Sequence, residues 1–519
     1  MGEGDYMSPK GECLKDTILK YSHNFVIKTY TPQMKKAVIR FARDNFIHTN
    51  VFRNSNGQII SDNSKIFADA TDDRTEFRFH INCYDEFIRH INNLYIKDYN
   101  VIEVPLFTPR NVEIKIKDEF KPRDYQLPVI DYIIDNENKR FKLLALNTGE
   151  GKTISSFFAL EKLQVRTVAI MKSGYILRWL DEINKVFEVV NPIVVSGSDN
   201  LKKLITYTMS QELDWDIALI SNKTFQRYIN TYKLMKEDML KEGYDCLPED
   251  FFKSMEAGFR LIDETHQDFH LNFKIDLYTH IERSLSLSAT LVNRDTFLER
   301  MYQIAYPPEL RYHTEKTKKF VQVKAVYYSI DPKYNIRYIR RGTNSYNHTV
   351  YEENIKRYKK VLKDYLEMIN FYVRNDFIYT RDSKDKLIIF ANSIEMCSTI
   401  VNYLKPIYKD LRIEKYTAED DYENLIDSDI RVTTIGSGGT AHDIPNLTTI
   451  IMTIAIQSIQ SNLQSFGRLR EIKGKDLKFI YLIDQDNPKH MEYHQLRQKL
   501  FKERALSMQT IWYPQSLGS

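Results

Sequence analysis

Cysteine is sparse in this chain of 519 residues: there are 4, and no two of Cys13, Cys83, Cys246 and Cys397 form a Cys-x-x-Cys pair. That spacing offers neither a zinc site nor a disulfide framework, and it suits a reducing compartment. Long apolar runs are missing too. The most continuous, 448-TTIIMTIAI-456, falls far short of the ~20 residues that span a bilayer. The opening 1-MGEGDYMSPKGECLKD-16 has no apolar segment of signal-peptide length. The expected location is therefore cytoplasmic, with no membrane partner. Net charge is slight, a formal +4, so any basic binding surface has to be local. Glycine is scarce at 17 residues, about half the usual ~7%. Yet Gly149, Gly151, Gly436, Gly438, Gly439 and Gly467 fall in three short segments, which marks backbone that turns sharply or lies close to a ligand.

What is present is an ordinary globular composition, 42% hydrophobic and 28% charged, with length enough for two to four domains. From about residue 115 short apolar runs alternate with longer amphipathic ones, the pattern of an α/β fold. Strands are predicted at 142–146, 167–171, 216–220, 259–263 and 285–289, then at 386–391, 411–416, 430–435, 448–453 and 477–483. Each group suffices for one doubly wound parallel sheet. The segment 300–385 reads as irregular and basic. Before residue 113, 76-EFRFHI-81 alternates like a half-buried strand, and 33-QMKKAVIRFARDNF-46 reads as a helix with Val38, Phe41 and Ala42 inward. Lys36, Arg40 and Arg43 share another face of that helix, either a solvated surface or a DNA contact. The expected organisation is a small N-terminal α/β domain (1–112), two α/β domains (113–308 and 309–485) and a C-terminal extension (486–519).

The chemistry gathers in two places. In 145-ALNTGEGKT-153 an apolar strand leads through a glycine loop into a helix, the context a phosphate loop needs. Backbone N–H groups of Thr148, Gly149, Glu150 and Gly151 and the helix dipole would hold a β-phosphate. Lys152 would reach the β/γ oxygens and Thr153 would ligate Mg²⁺. The strict GxxxxGK[ST] pattern has glycine where Leu146 stands, so the match is to an AxTGxGKT form. In 259-FRLIDETH-266 a second apolar strand ends in two carboxylates: Asp263 to bind the metal and Glu264 to orient and deprotonate an attacking water. ATP and Mg²⁺ are the expected substrate and metal.

Phosphate loop, DETH, 288-SAT-290 and 464-QSFGRLR-470, in this order, resemble the superfamily 2 DExH-type helicases across roughly residues 115–485. The resemblance implies two tandem RecA-like domains. It implies that Gln126, assisted by Arg123, reads the adenine in 122-PRDYQLPVI-130, and that His266, Ser288 and Thr290 couple nucleotide state to movement. Lys172, Ser173 and Arg178, then Lys223 and Thr224, fall in segments similar to the first domain's nucleic-acid motifs, though the charged ones also read as solvated surface. Asn392 lies in 388-IIFANS-393, similar to motif IV. Gly439 and Thr440 lie in 436-GSGGTAHDIPN-446, similar to motif V, with Asp443 a nucleotide-side contact and His442 structural. Ala441 stands where that motif usually has glycine. Motif VI implies catalytic roles for Gln464, Arg468 and Arg470, with Arg470 one place before the usual second arginine, so either is a candidate finger. Tyr334, Arg337, Tyr338, Arg340 and Arg341 interleave ring and charge, either a strand-stacking hairpin or an exposed loop.

The overall plan is similar to that of the UvsW-type recombination helicases of phages, which would make the location a host cytoplasm. It implies a monomer that unwinds or branch-migrates branched or forked DNA. A duplex DNA translocase, an RNA helicase and a binding module with a decayed ATPase are the alternatives.

Overall fold

The computed structural model describes residues 15–53, 59–135, 141–146, 150–235, 238–288, 295–313, 319–339, 345–417, 420, 427–438 and 444–519. The chain divides into two compact units, the first ending at His313 and the second taking up Thr314–Ser519.

The first unit contains a seven-stranded sheet, every neighbouring pair parallel. Its order is Pro192–Val195, Ile217–Ser221, Thr167–Met171, Phe259–Ile262, Arg283–Ser288, Phe141–Ala145 and Arg311–His313. The inner strands are buried end to end, as the apolar runs required of strands covered on both faces. All five predicted strands are present; the two outermost, Pro192–Val195 and Arg311–His313, escaped the sequence reading.

A five-stranded sheet precedes it in the chain, in the order Asp69–Ala70, Glu76–His80, Asn24–Lys28, Thr17–Lys20 and Asn100–Glu103. The predicted helix is Pro32–Phe46, capped by Thr31, whose hydroxyl accepts from the Met34 N–H. Val38 and Phe41 are fully buried, Ala42 packs beside them, and Lys36, Arg40 and Arg43 are exposed. Phe25, Phe41, Phe79 and Phe87 form one ring cluster, each buried ring worth about 1.5–3 kcal/mol. This layer shares its core with the parallel sheet. Phe67 packs 5.1 Å from Phe273, Asn24 Nδ2 donates to the Thr279 carbonyl at 2.9 Å, and His23 Nε2 lies 2.6 Å from Ser284 Oγ.

The second unit repeats the plan with another all-parallel seven-stranded sheet. Its order is Ile413–Tyr416, Ile430–Thr433, Lys386–Phe390, Leu447–Met452, Leu477–Asp484, Val321–Tyr328 and Ala505–Trp512. The five predicted strands are again present. Val321–Tyr328 corrects the reading of 300–385 as irregular: it is an inner strand, alternating buried and half-buried residues. Ala505–Trp512 closes the sheet beside it. Among the described residues no helix is long and apolar enough to cross a membrane.

Several buried histidines give the fold a definite pH response. Burial lowers His80 to about 4 and His348 to about 3, and holds His490 well below its ordinary value. Unfolding lets each take up a proton below its ordinary value of 6.5, so stability falls as pH drops from there towards the folded-state values. At pH 5 the loss is about 2 kcal/mol for each of the first two. Asp484, pushed up to about 6 by burial, and Asp263, also raised, act in the opposite direction but with smaller weight. Melting curves should show a lower Tm at pH 5 than at pH 7.5; an unchanged or higher Tm would mean these rings are not held neutral.

Candidate nucleotide site

The strand Phe141–Ala145 buries Leu143 and Leu144 and delivers the chain towards the helix Lys152–Leu163. Thr148 and Gly149 lie outside the described residues. Gly151, immediately before the helix, has φ +77°, which an L side chain adopts only under strain. A Cβ there would stand 2.5 Å from Gln126 Nε2. Gln126 is buried, and its Oε1 accepts from the Arg123 N–H at 2.9 Å. Its Nε2 donates to Ser155 Oγ at 3.4 Å on the phosphate-loop helix, and Arg123 Nη1 donates to the Tyr125 hydroxyl at 3.3 Å. Segment 123–126 is thus clamped against the base of the loop. Gly151→Ala should therefore displace Gln126 and weaken nucleotide binding by about tenfold or more, ~1.4 kcal/mol. A fluorescent-ADP titration checks this, and unchanged affinity would show the loop tolerates the side chain.

Strand Phe259–Ile262 lies between two parallel neighbours, and Asp263 follows it directly. The Lys152 segment, Asp263 and Ser288 all come at the C-terminal ends of parallel strands, where open α/β sheets bind ligands. Asp263 Oδ2 accepts from Trp179 Nε1 at 2.7 Å and Oδ1 from the Glu264 N–H at 2.9 Å. Burial and the adjoining Glu264 push the Asp263 carboxyl up, while the Trp179 hydrogen bond and the charges of Lys152 and Arg178 pull it back. Lys152 is buried, and its Nζ donates to the Leu146 carbonyl at 2.9 Å. Its charge also depresses His266, which burial lowers to about 3. Lys152, Asp263 and His266 therefore share one electrostatic neighbourhood.

Glu264 has φ +46°, and its neighbour Thr265 is fixed by Tyr306, whose hydroxyl lies 2.9 Å from Thr265 Oγ1 and 2.7 Å from Ser286 Oγ. His266 Nδ1 lies 2.9 Å from Ser288 Oγ and 3.2 Å from Glu264 Oε2. The ring is neutral, so the Glu264 contact is not an ion pair. These contacts bring the DETH residues and Ser288 together; Thr290 lies outside the described residues. The donor chemistry fits Mg²⁺. A threonine hydroxyl and an aspartate carboxylate, as at Thr153 and Asp263, are hard oxygen donors that would suit an ion sharing its coordination with water and phosphate oxygens. A dication would also relieve the repulsion between Asp263 and Glu264.

Lys172 precedes and Ser173 begins the helix Ser173–Val186, with Lys172 Nζ 3.7 Å from Asp268 and Arg178 Nε 3.0 Å from Glu182. Lys223 is exposed, but Thr224 is buried and its Oγ1 accepts from the Gly197 N–H at 2.9 Å. That hydroxyl supports a neighbouring loop.

In the second unit Asn392 donates through its N–H to Glu352 Oε1 at 2.7 Å and through Nδ2 to Thr349 Oγ1 at 2.8 Å. Glu352, itself buried, also takes the Ser393 N–H and hydroxyl, so it organises the turn at 392–393. Gly439, Thr440 and Asp443 lie outside the described residues. Gln464 sits half-buried on the helix Ile459–Phe466, followed by buried Arg468 and half-buried Arg470. Arg497 fixes that helix from behind, donating to Asn462 Oδ1 at 2.6 Å and the Ile454 carbonyl at 2.5 Å. Tyr334 and Tyr338 face the core, their rings 5.0 Å from Tyr358 and 6.1 Å from Tyr346, while Arg337 points outward. These contacts anchor the segment; Arg340 and Arg341 lie outside the described residues.

Trp179, Tyr306, Glu352 and Arg497 were missed by sequence reasoning. Only Trp179 carried a signal, as a large aromatic closing 169-AIMKSGYILRW-179.

Residues 119–293 match the family model for the type III restriction enzyme, res subunit. Over 532 residues the chain is 21% identical to the general transcription and DNA repair factor IIH helicase/translocase subunit XPB of Enterocytozoon bieneusi (strain H348), covering 96% of this chain and 82% of that protein. The crystal structure of the Pyrococcus furiosus Hef helicase domain aligns with a TM-score of 0.45 at 14% identity, over 74% of this chain and 100% of that one.

Proposed function

We propose that this chain, which the family match and the XPB relative support as a superfamily 2 helicase, is an ATP-driven motor acting on DNA. Its finer assignment in this reading is unwinding or branch migration of forked and branched DNA in recombination, replication or repair, as in the UvsW-type helicases. The observation that carries the ATPase part is the convergence of Lys152, Asp263, Glu264 and His266 at the C-terminal edge of one parallel sheet.

In this mechanism Lys152 turns from the Leu146 carbonyl to the β/γ oxygens of ATP, while Thr153 and Asp263 would hold Mg²⁺, which would supply charge neutralisation. Glu264 takes the proton of the attacking water, and His266 passes the change at Glu264 to Ser288. Gln126 and Arg123 favour adenine, while Thr148, Gly149, Glu150, Gly151 and Asp443 complete the nucleotide contacts. Gln464, Arg468 and Arg470 respond to the γ-phosphate. Lys172, Ser173, Arg178, Lys223, Asn392, Gly439 and Thr440 follow the sugar-phosphate backbone.

Strand displacement on a forked substrate, run beside triplex displacement on uninterrupted duplex, tests the reading. Separation of the fork arms supports the helicase assignment. Triplex displacement alone would make the chain a duplex translocase, the alternative that the helicase/translocase relative favours.

A further inference from the structure

We infer that Trp179 is a positioning residue for the Asp263 carboxylate, through which the helix Ser173–Val186 is tied to the hydrolytic site. This deepens the proposed motor and rests on it. The indole N–H can only donate, so the direction of the 2.7 Å bond to Asp263 Oδ2 is unambiguous. Asp263 Oδ1 is simultaneously taken by the Glu264 N–H. A carboxylate held at both oxygens cannot turn about its Cβ–Cγ bond without losing one of them, so Trp179 sets the plane of the Asp263 carboxylate, which would hold the metal.

The indole is itself held. It is 3% exposed and meets the Phe157 ring edge-on, 5.5 Å away at 80°. Phe157 belongs to the phosphate-loop helix, and its other neighbour is Phe187, 5.0 Å away. Trp179 thus touches both halves of the nucleotide machinery, the loop helix by packing and Asp263 by a hydrogen bond. The same helix begins at Ser173, next to Lys172. From there to Trp179 is under two turns, about 10 Å of rigid helix. A phosphate group drawn to Lys172 and Ser173 would move the helix and the indole together, and Asp263 would follow.

The test is Trp179→Phe, which keeps an aromatic ring against Phe157 but removes the donor. Loss of such a support to a metal ligand costs about 10–100-fold. The expected result is a kcat reduced within that range, a KM for ATP that changes less than kcat, and a smaller stimulation ratio with DNA. The second readout does not need turnover. Intrinsic fluorescence of the unmodified chain should respond to ADP with Mg²⁺ and not to ADP with a chelator, and the Mg²⁺-dependent part should vanish in Trp179→Phe. Trp215 and Trp512 remain as internal reference emitters, and a melting curve checks the variant's fold. If the variant melts early, the 5-fluorotryptophan signals of the unmodified chain give the same answer by ¹⁹F NMR. Wild-type kcat and DNA stimulation in Trp179→Phe, or a tryptophan signal indifferent to Mg²⁺, would overturn the inference. Absence of ATP turnover in the wild type would instead defeat the motor reading, leaving the fluorescence and NMR results to decide the role of Trp179.

Discussion

Lys152→Ala is expected to lower ATP turnover by about 10²–10³-fold or more, the scale seen when a charged or hydrogen-bonding group that stabilises a transition state is removed. Lys152 is a buried ammonium whose Nζ donates, among the described residues, to the Leu146 carbonyl at 2.9 Å. A buried cation beside the Asp263 carboxylate is poised for an anionic ligand. Its removal withdraws the positive charge that now stabilises the Asp263 carboxylate, so metal and γ-phosphate are weakened together. The fold should respond less than turnover does, because one hydrogen bond from a charged donor is worth about 1.5–3 kcal/mol. Steady-state hydrolysis beside a melting curve separates the two effects. Turnover within tenfold of the wild type would remove Lys152 from the site.

Glu264→Gln should separate binding from chemistry. The side chain keeps its size, so ATP should bind with near-normal affinity, while hydrolysis falls by about 10²–10⁴-fold, the contribution of a positioned general base. Glu264 is suited to this role. Its left-handed backbone, φ +46°, holds it at the strand end, and its Oε2 lies 3.2 Å from a neutral His266 that cannot neutralise it as a cation would. Equilibrium binding of a fluorescent ATP analogue, followed by single-turnover hydrolysis, gives both quantities. A variant that loses affinity and retains its rate would assign Glu264 to nucleotide binding, with the base elsewhere.

The parts of this molecule readable from sequence are those fixed by local pattern. Inner strands such as Thr167–Met171 and Phe259–Ile262 are buried on both faces, so they appear as uninterrupted apolar runs. The strand Val321–Tyr328 was hidden because Lys324 points into a partly buried pair with Asp376, putting charge where an apolar run was expected. Ala505–Trp512 was hidden because an edge strand with exposed Leu506 and Trp512 follows no burial rule that sequence alone reveals. The candidate site divides similarly. Lys152 and Asp263 were legible because each follows an apolar strand at a position where the chemistry demands a particular residue. The bonds that hold them were not, since Trp179 and Asp263 are 84 residues apart and Gln126 and Ser155 are 29 apart. Thr224 shows the converse, a hydroxyl in the right motif whose partner, Gly197, only the fold supplies.

The central claim is that NTGEGKT and DETH together drive movement on branched DNA. Steady-state ATP hydrolysis with no nucleic acid, single-stranded DNA, duplex, a four-way junction and matched RNA, in the wild type and in Lys152→Ala, tests it most directly. Strong stimulation by the junction that disappears in the variant is the predicted result; turnover stimulated by RNA alone, or no turnover with any of the substrates, would contradict it.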